Sequence, residues 1–343
     1  MKEVLVHPGP RTEIVDSPIP KPAANQLVIK VVVSGSNPKD WKVDWLPTGF
    51  NQGDDIAGIV HEVGADITDF KLGDRVGAFH ENLAPHGSYA EYALAWGYTT
   101  FHLPAHTSFE EASTIPLAGM TAALGLYKNL GLPQPWAPAE TSIPLIIYGA
   151  SGAVGSFAVK LAVLSNIHPI IAVAGKGEKH VATMLDKSKG DAIVDHRNGD
   201  EAVVQGIRDA LKAAGASGVS YAFDAVSENG SYQNIYKVLD PHGKITLVLT
   251  SNYEVPETFT QSNVMVADVH GVMGIKPGGK DFGYVFSKYF GRGLELGTFT
   301  GHPYEVVPGG LGGVETALKD LKAGKASAIK YVFRIADTEG VEL

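Results

Sequence analysis

The sequence predicts a two-domain α/β protein: a doubly wound parallel sheet joined to a smaller β-rich domain. Three observations predict it. The stretch "IPLIIYGASGAVGSFAVKLA" (143–162) reads as a buried strand, a glycine turn and a helix. Apolar runs without in/out alternation follow it, separated by helical stretches, the mark of a parallel sheet covered on both faces. Residues 1–117 instead carry short valine-rich runs broken by Gly and Pro, which suggest a small barrel or sandwich. With 343 residues, 44% of them hydrophobic, the chain is long enough to bury two cores.

Taken in order, the pattern divides the chain at 1–117, 118–274 and 275–343. The first segment holds strand runs at 26–33, 56–64, 73–79 and 87–95. The second alternates the apolar runs "PLIIYG", "PIIAVAG", "DAIVD", "VSYAFDAV" and "GKITLVLT" with helices predicted at 153–165, 178–187 and 200–214. "VADVHGVMG" (266–274) stands where an edge strand is expected, with two charged or titratable residues that discourage pairing. The third segment holds a Gly/Pro-marked helix and loop, a helix at 312–323, and a strand at 329–335 that returns to the first domain.

Composition narrows the function. A formal net charge of −9 offers no basic excess to offset phosphates, which argues against nucleic acid as a partner. The absence of cysteine excludes disulfides, thiolate zinc sites and cysteine nucleophiles, and fits a cytoplasmic protein. "MKEVLVHPGPRTEIV" has no apolar signal core, and no apolar run approaches the roughly 20 residues of a membrane span, so no membrane association is expected.

The glycine turn is Gly149-Ala-Ser-Gly152-Ala-Val-Gly155. Gly149 permits a sharp exit from the strand, Gly152 lets backbone approach a pyrophosphate, and Gly155 lets the helix pack close to the sheet. The helix start supplies free N–H groups and positive dipole to phosphates. Which dinucleotide binds depends on the end of the second strand. There the chain has Gly175 with no acid for a ribose hydroxyl, followed by Lys176 and Lys179, although Glu178 lies between them. His196 and Arg197 follow the third strand. Together these cations favour NADPH over NADH.

At this point the chain resembles the medium-chain dehydrogenase/reductases, and within them the zinc-independent, ToxD-like fungal branch that includes trans-acting enoyl reductases of polyketide synthases. The likeness runs end to end. It rests on "SGSNPKDWK" (34–42), "GDDIAGIVHEVGADITDFKLGDRV" (53–76), "HGSYAEY" (86–92), "ASTIPLAGMTAA" (112–123), "YGASGAVG" (148–155), "FDAV" (223–226) and "HPYEVVPGGLGGV" (302–314). It implies a Rossmann domain and a GroES-like catalytic domain with NADPH in the cleft between them. Zinc-dependent relatives carry a cysteine where this chain has Asn37 and a histidine where it has Asp54, so no catalytic metal is expected.

The resemblance implies the remaining site residues. Lys42, Thr121 and Asn37 are the catalytic candidates. Lys39 and Lys42 are expected against the cofactor. Ser151, Gly152, Ala153 and Val154 match the phosphate turn, and Gly175 with Lys176 the 2′-phosphate loop. His196 replaces a tyrosine beside the adenosine. Leu249 and Thr250 match the segment under the nicotinamide ribose, and Ala326 and Ser327 a C-terminal contact. Thr121, Ala122, Val272 and Met273 are expected to touch substrate. The proton-donating tyrosine of mitochondrial-type enoyl reductases has no counterpart in "VDWLPTGFNQ", which leaves solvent or Lys42 to supply the proton. Asp224 is expected to stabilise a loop. The implied activity is reduction of an activated C=C bond, an enoyl thioester on a polyketide synthase carrier protein. The alternatives are a zeta-crystallin-like quinone reductase, an enone or alkenal reductase, and a non-catalytic NADPH-binding regulator. The resemblance allows a monomer or a homodimer.

Overall fold

The computed structural model describes residues 1–42, 49–251, 253, 255–271 and 278–341. In chain order it opens with β1 (Lys2–His7), β2 (Arg11–Asp16), β3 (Gln26–Gly35), β4 (Asp55–Val63), β5 (Arg75–Phe79), β6 (Tyr92–Trp96) and β7 (Thr100–His102). Helices α1 (Phe109–Ala112) and α2 (Pro116–Ala123) follow. Then come β8 (Leu145–Tyr148), α3 (Ala153–Leu164), β9 (Ile170–Ala174), α4 (Glu178–Ala182), β10 (Ala192–Asp195), α5 (Asp200–Ala213), β11 (Tyr221–Asp224), α6 (Ser231–Tyr236), β12 (Lys244–Leu247) and β13 (Thr260–Asn263). The chain closes with α7 (Gly279–Leu296), β14 (Tyr304–Val306), α8 (Val314–Lys322) and β15 (Lys330–Arg334). Two compact units result, residues 1–120 with 267–343, and residues 121–266.

The unit of residues 121–266 is a six-stranded sheet in the order β10-β9-β8-β11-β12-β13, every pair parallel. Its order reverses beside β8, so the turn after β8 lies at the topological switch point where such sheets bind ligands. Ile146, Ile171, Val173, Ala222 and Ile245 are fully buried in the sheet. Val203 and Ile207 of α5 pack into the same core. The helix after β9 is shorter than its pattern predicts. It ends at Ala182 because Asp186 takes the backbone N–H of Ser188 (2.9 Å) and starts a tight turn that closes on Gly190 at φ +84°. The edge strand is also not where the sequence places it. Residues 260–263 pair with β12, whereas 266–270 form a short 3₁₀ turn. "TQSN" has no apolar pattern because an edge strand with one neighbour needs none, which is why pattern reading passes over it.

The other unit is built on a seven-stranded sheet, β14-β15-β3-β4-β5-β7 with β6 also paired to β3, and a separate hairpin of β1 and β2. The strand predicted at 87–95 begins only at Tyr92. Upstream of it the backbone serves other partners: Val4 N–H donates to Tyr89 O, and Ser88 N–H to Gly53 O, both at 2.8 Å. The C-terminal β15 returns to this sheet and pairs antiparallel with β3, bringing Val332 opposite Gly35. Leu27, Ile29, Ile56, Val76, Tyr89 and Phe333 form its core. Pairing of β15 with β3 sets up the site, because it brings residue 330 beside residues 35 and 37.

Candidate active site

The glycine turn has the geometry its spacing implies. Gly149 sits at φ +77°, the left-handed region that favours glycine, and a Cβ there would meet Val226 Cγ2 at 2.6 Å. A Cβ on Gly155 would lie 2.2 Å from Gly149 O and 2.8 Å from Ala150 Cα, so that glycine is required for helix–sheet contact. Gly152 differs. A Cβ there would meet nothing nearer than Gly149 O at 3.6 Å, and the residue is exposed. Internal packing therefore does not require the middle glycine, whereas close approach of a phosphate does. The first bond of α3 runs from Ser156 N–H to Gly152 O at 2.8 Å, so the N–H groups of Ala153, Val154 and Gly155 lie ahead of it at the helix start. This cradle fits a dinucleotide pyrophosphate.

Beyond β9 the chain presents exposed Lys176 after buried Gly175, with exposed Lys179 in α4. A Cβ on Gly175 would lie 2.5 Å from His196 Nε2, so this glycine seats the imidazole over the strand end. Arg197 is held by Asp195: its Nε donates to both carboxylate oxygens at 2.9 and 3.0 Å. That pairing holds the Asp195 carboxyl at about 2 and partly neutralises the guanidinium. Leu249 and Thr250 follow β12, with Leu249 O accepting from Asn263 Nδ2 at 2.6 Å. Asp224 is a loop anchor. Its Oδ1 accepts from Val226 N–H and Ser227 N–H, and its Oδ2 from Ser231 Oγ, while burial raises its pKa. Ala326 and Ser327 belong to the other unit.

The β-rich unit holds a buried polar network around Asn37 and the Asp54–Asp55 pair. Asn37 Nδ2 donates to Asp55 Oδ2 at 2.7 Å, and Asn37 Oδ1 accepts from Lys330 Nζ at 3.0 Å. Lys330 also ion-pairs with Asp55 at 2.5 Å. Both ends of the Asn37 amide are thus occupied. Lys39 Nζ donates to Gln52 O at 2.7 Å and bridges Asp40 (2.9 Å) and Asp54 (2.8 Å). Asn82 donates to Asp54, and Tyr89 OH to Asp40 at 2.6 Å. Burial is the largest influence on both carboxyls and raises them against the pull of Lys39. Burial would lower the Lys39 ammonium, but Asp40 and Asp54 outweigh it and hold that pKa raised. Among the described residues, no group of three or more His, Cys, Asp or Glu side chains is placed to hold a metal ion.

The structure places the catalytic candidates as follows. Lys42 carries its ammonium 5.2 Å from the centre of the Trp41 ring. Thr121 and Ala122 are buried in the second half of α2. Thr121 is therefore an interior residue of the helix. After α2 the chain makes a π-helical turn, Leu124–Asn129, of a kind often found beside functional sites. Val272 and Met273 lie outside the described residues. Sequence reading missed Lys330, Asp55 and Tyr89. The available signal was a lysine opening the apolar strand "KYVFR", since a lysine almost never enters a core unpaired.

Comparison with known proteins agrees with this geometry. Residues 23–105 match the model of the alcohol dehydrogenase GroES-like domain. A trans-enoyl reductase of Gibberella fujikuroi is 52% identical over 90% of this chain and 91% of its own. A trans-enoyl reductase of Alternaria alternata is 29% identical over 97% of this chain and 98% of its own. Among solved structures, the CurK enoyl reductase superposes with a TM-score of 0.75 at 20% identity, covering 96% of this chain and 98% of that one, which speaks for the fold. The chain belongs to the trans-enoyl reductases, a zinc-independent branch of the medium-chain dehydrogenase/reductase family.

Proposed function

We propose that the protein reduces the C=C bond of an enoyl thioester carried by a polyketide synthase carrier protein, with NADPH as reductant. The observation that carries this reading is the fate of Asp54, at the position of the zinc histidine in relatives: it is bound by the Lys39 ammonium and Asn82. A site organised by ammonium groups held against buried carboxylates suits an acceptor that needs hydrogen-bond polarisation more than a Lewis acid. When bound, the nicotinamide supplies hydride to the β-carbon.

The chain's own residues supply the rest. The α3 start binds the pyrophosphate, and Lys176 meets the 2′-phosphate. Lys42 and Thr121 stabilise the developing enolate oxygen by charge and hydroxyl donation, and Lys42 or solvent protonates the α-carbon. The test compares NADPH consumption with a 2-enoyl pantetheine thioester and with a quinone. Lys42→Ala and Thr121→Val should lower thioester turnover by roughly 10²–10³ while changing quinone turnover far less, because a quinone needs no positioned donor. Rapid quinone reduction by the parent protein with no alkene reduction would make it a quinone reductase instead.

A further inference from the structure

Helix α2 starts without a local cap. Pro116 at its first position has no N–H to satisfy, and Ile115 before it has no side-chain acceptor. The acceptor comes from β4, 62 residues earlier in the chain: Leu117 N–H donates to Asp55 Oδ1 at 2.7 Å. The other oxygen of that carboxylate is held by Lys330 Nζ (2.5 Å) and Asn37 Nδ2 (2.7 Å). Asp55 is wholly buried and Lys330 is 4% exposed, so the ammonium is the counter-charge that lets a carboxylate stay at the helix start. Gly35 leaves room for Ser113 O and for Lys330, since a Cβ there would lie 2.3 Å from the first and 3.0 Å from Lys330 Cε.

Thr121 stands four residues after Leu117, one turn along the same helix. We propose that Lys330 and Asp55 are positioning residues that fix the start of α2 and, through it, the Thr121 hydroxyl. The inference rests on the reading of Thr121 as a donor to the enoyl thioester. A helix is stiff along its axis, and a displacement of about 1 Å at a donor can cost up to about 10²-fold in rate. The pair therefore acts on turnover without touching substrate.

Lys330→Met alone strands a buried carboxylate and destabilises the fold, so the informative variant is Lys330→Met/Asp55→Leu, which removes both charges together. Its thermal stability should exceed that of Lys330→Met but stay below the parent's, because Leu117 N–H and the Asn37 amide lose their partners, and its NADPH affinity, measured by fluorescence, should be unchanged. Its kcat on a 2-enoyl pantetheine thioester should fall about tenfold, with amide exchange at Leu117 accelerated by a similar factor. Thr121→Val in that background should cost much less than in the parent protein, because the hydroxyl is already misplaced. Full kcat in the double variant, or fully additive effects with Thr121→Val, overturns the positioning role. If Thr121→Val leaves the parent's kcat unchanged, it is the reading of Thr121 that has failed, and the inference falls with it.

Discussion

The turn at 149–155 and the network around Asp55 do comparable work by opposite means. The first is seven consecutive residues whose backbone makes the proposed pyrophosphate cradle, so glycine spacing displays it in full. The second joins residues 37, 55, 117 and 330, brought together by the pairing of β15, β3 and β4, and its parts have no common motif. A local backbone site is written in order along the chain. A buried electrostatic site is written only in the fold. The two should also fail differently when mutated.

The largest expected effect is in the network. Asp55→Asn keeps the size and an acceptor for Leu117 N–H but leaves the Lys330 ammonium buried beside a neutral group. Breaking a buried pair by removing one charge costs about 3–5 kcal/mol, and urea unfolding should show it. A loss below about 1 kcal/mol would mean that Lys330 finds water or another carboxylate, and the network would lose its distinction from a surface ion pair.

Within the turn, two glycines should separate stability from binding. Gly155→Ala drives a Cβ into backbone atoms that cannot yield, and should cost about 3 kcal/mol together with nucleotide affinity. Gly152→Ala meets open space and should change stability by less than about 1 kcal/mol while weakening nucleotide binding about tenfold or more. Thermal unfolding and fluorescence titration of both variants check this. Loss of stability in both would make the turn a packing feature alone.

This contrast explains what the sequence made legible. The five parallel strands of the nucleotide unit other than "TQSN" stand out as apolar runs, because burial on both faces leaves no other solution. Gly149 and Gly155 have the geometry their spacing implied. Lys39 and Asn37 were singled out by their neighbourhood in "SGSNPKDWK", but their partners Gln52, Asp55 and Lys330 were not, since charges far apart in sequence carry no period. The start of α2 stayed illegible for the same reason: its cap is a tertiary contact.

A histidine of the β-rich unit sharpens the comparison through pH. His270 is 5% exposed, with its ring 4.8 Å from that of Phe79 and its Nε2 3.3 Å from Phe79 O. Burial, aided by nearby His80, pulls its pKa from 6.5 down to about 3. The unfolded chain therefore takes up a proton below 6.5 that the folded chain refuses until about 3, so stability is full above that window and falls as pH drops through it. The slope is about 1.4 kcal/mol per pH unit below about pH 6. Asp40 and Asp54, with raised folded values, act with the opposite sign: they favour the folded state at low pH and lose that contribution as pH rises. The measurement is thus a difference, and His270→Leu should flatten it relative to the parent. An unchanged slope would mean that the imidazole reaches water.

The smallest effect belongs to the exposed cations of the nucleotide unit. Lys176 follows a buried glycine and stands clear in solvent, so its loss disturbs no packing and should leave thermal stability unchanged. A charge-assisted contact to a 2′-phosphate is worth roughly 1.5–3 kcal/mol, which makes the expected NADPH preference over NADH tenfold or more. Lys176→Ala should remove about that factor from NADPH affinity and leave NADH alone. Arg197→Ala should do less, because Asp195 already holds that guanidinium through both carboxylate oxygens. Fluorescence titration of both cofactors at fixed ionic strength separates the two cations. If Arg197→Ala cost more than Lys176→Ala, the Asp195 pairing would have to open on binding, and the anion site would be organised by β10 rather than by the loop after β9. Equal affinities of the parent for NADPH and NADH would remove the 2′-phosphate contact altogether while leaving the role proposed for Gly152, at the pyrophosphate both cofactors share, intact.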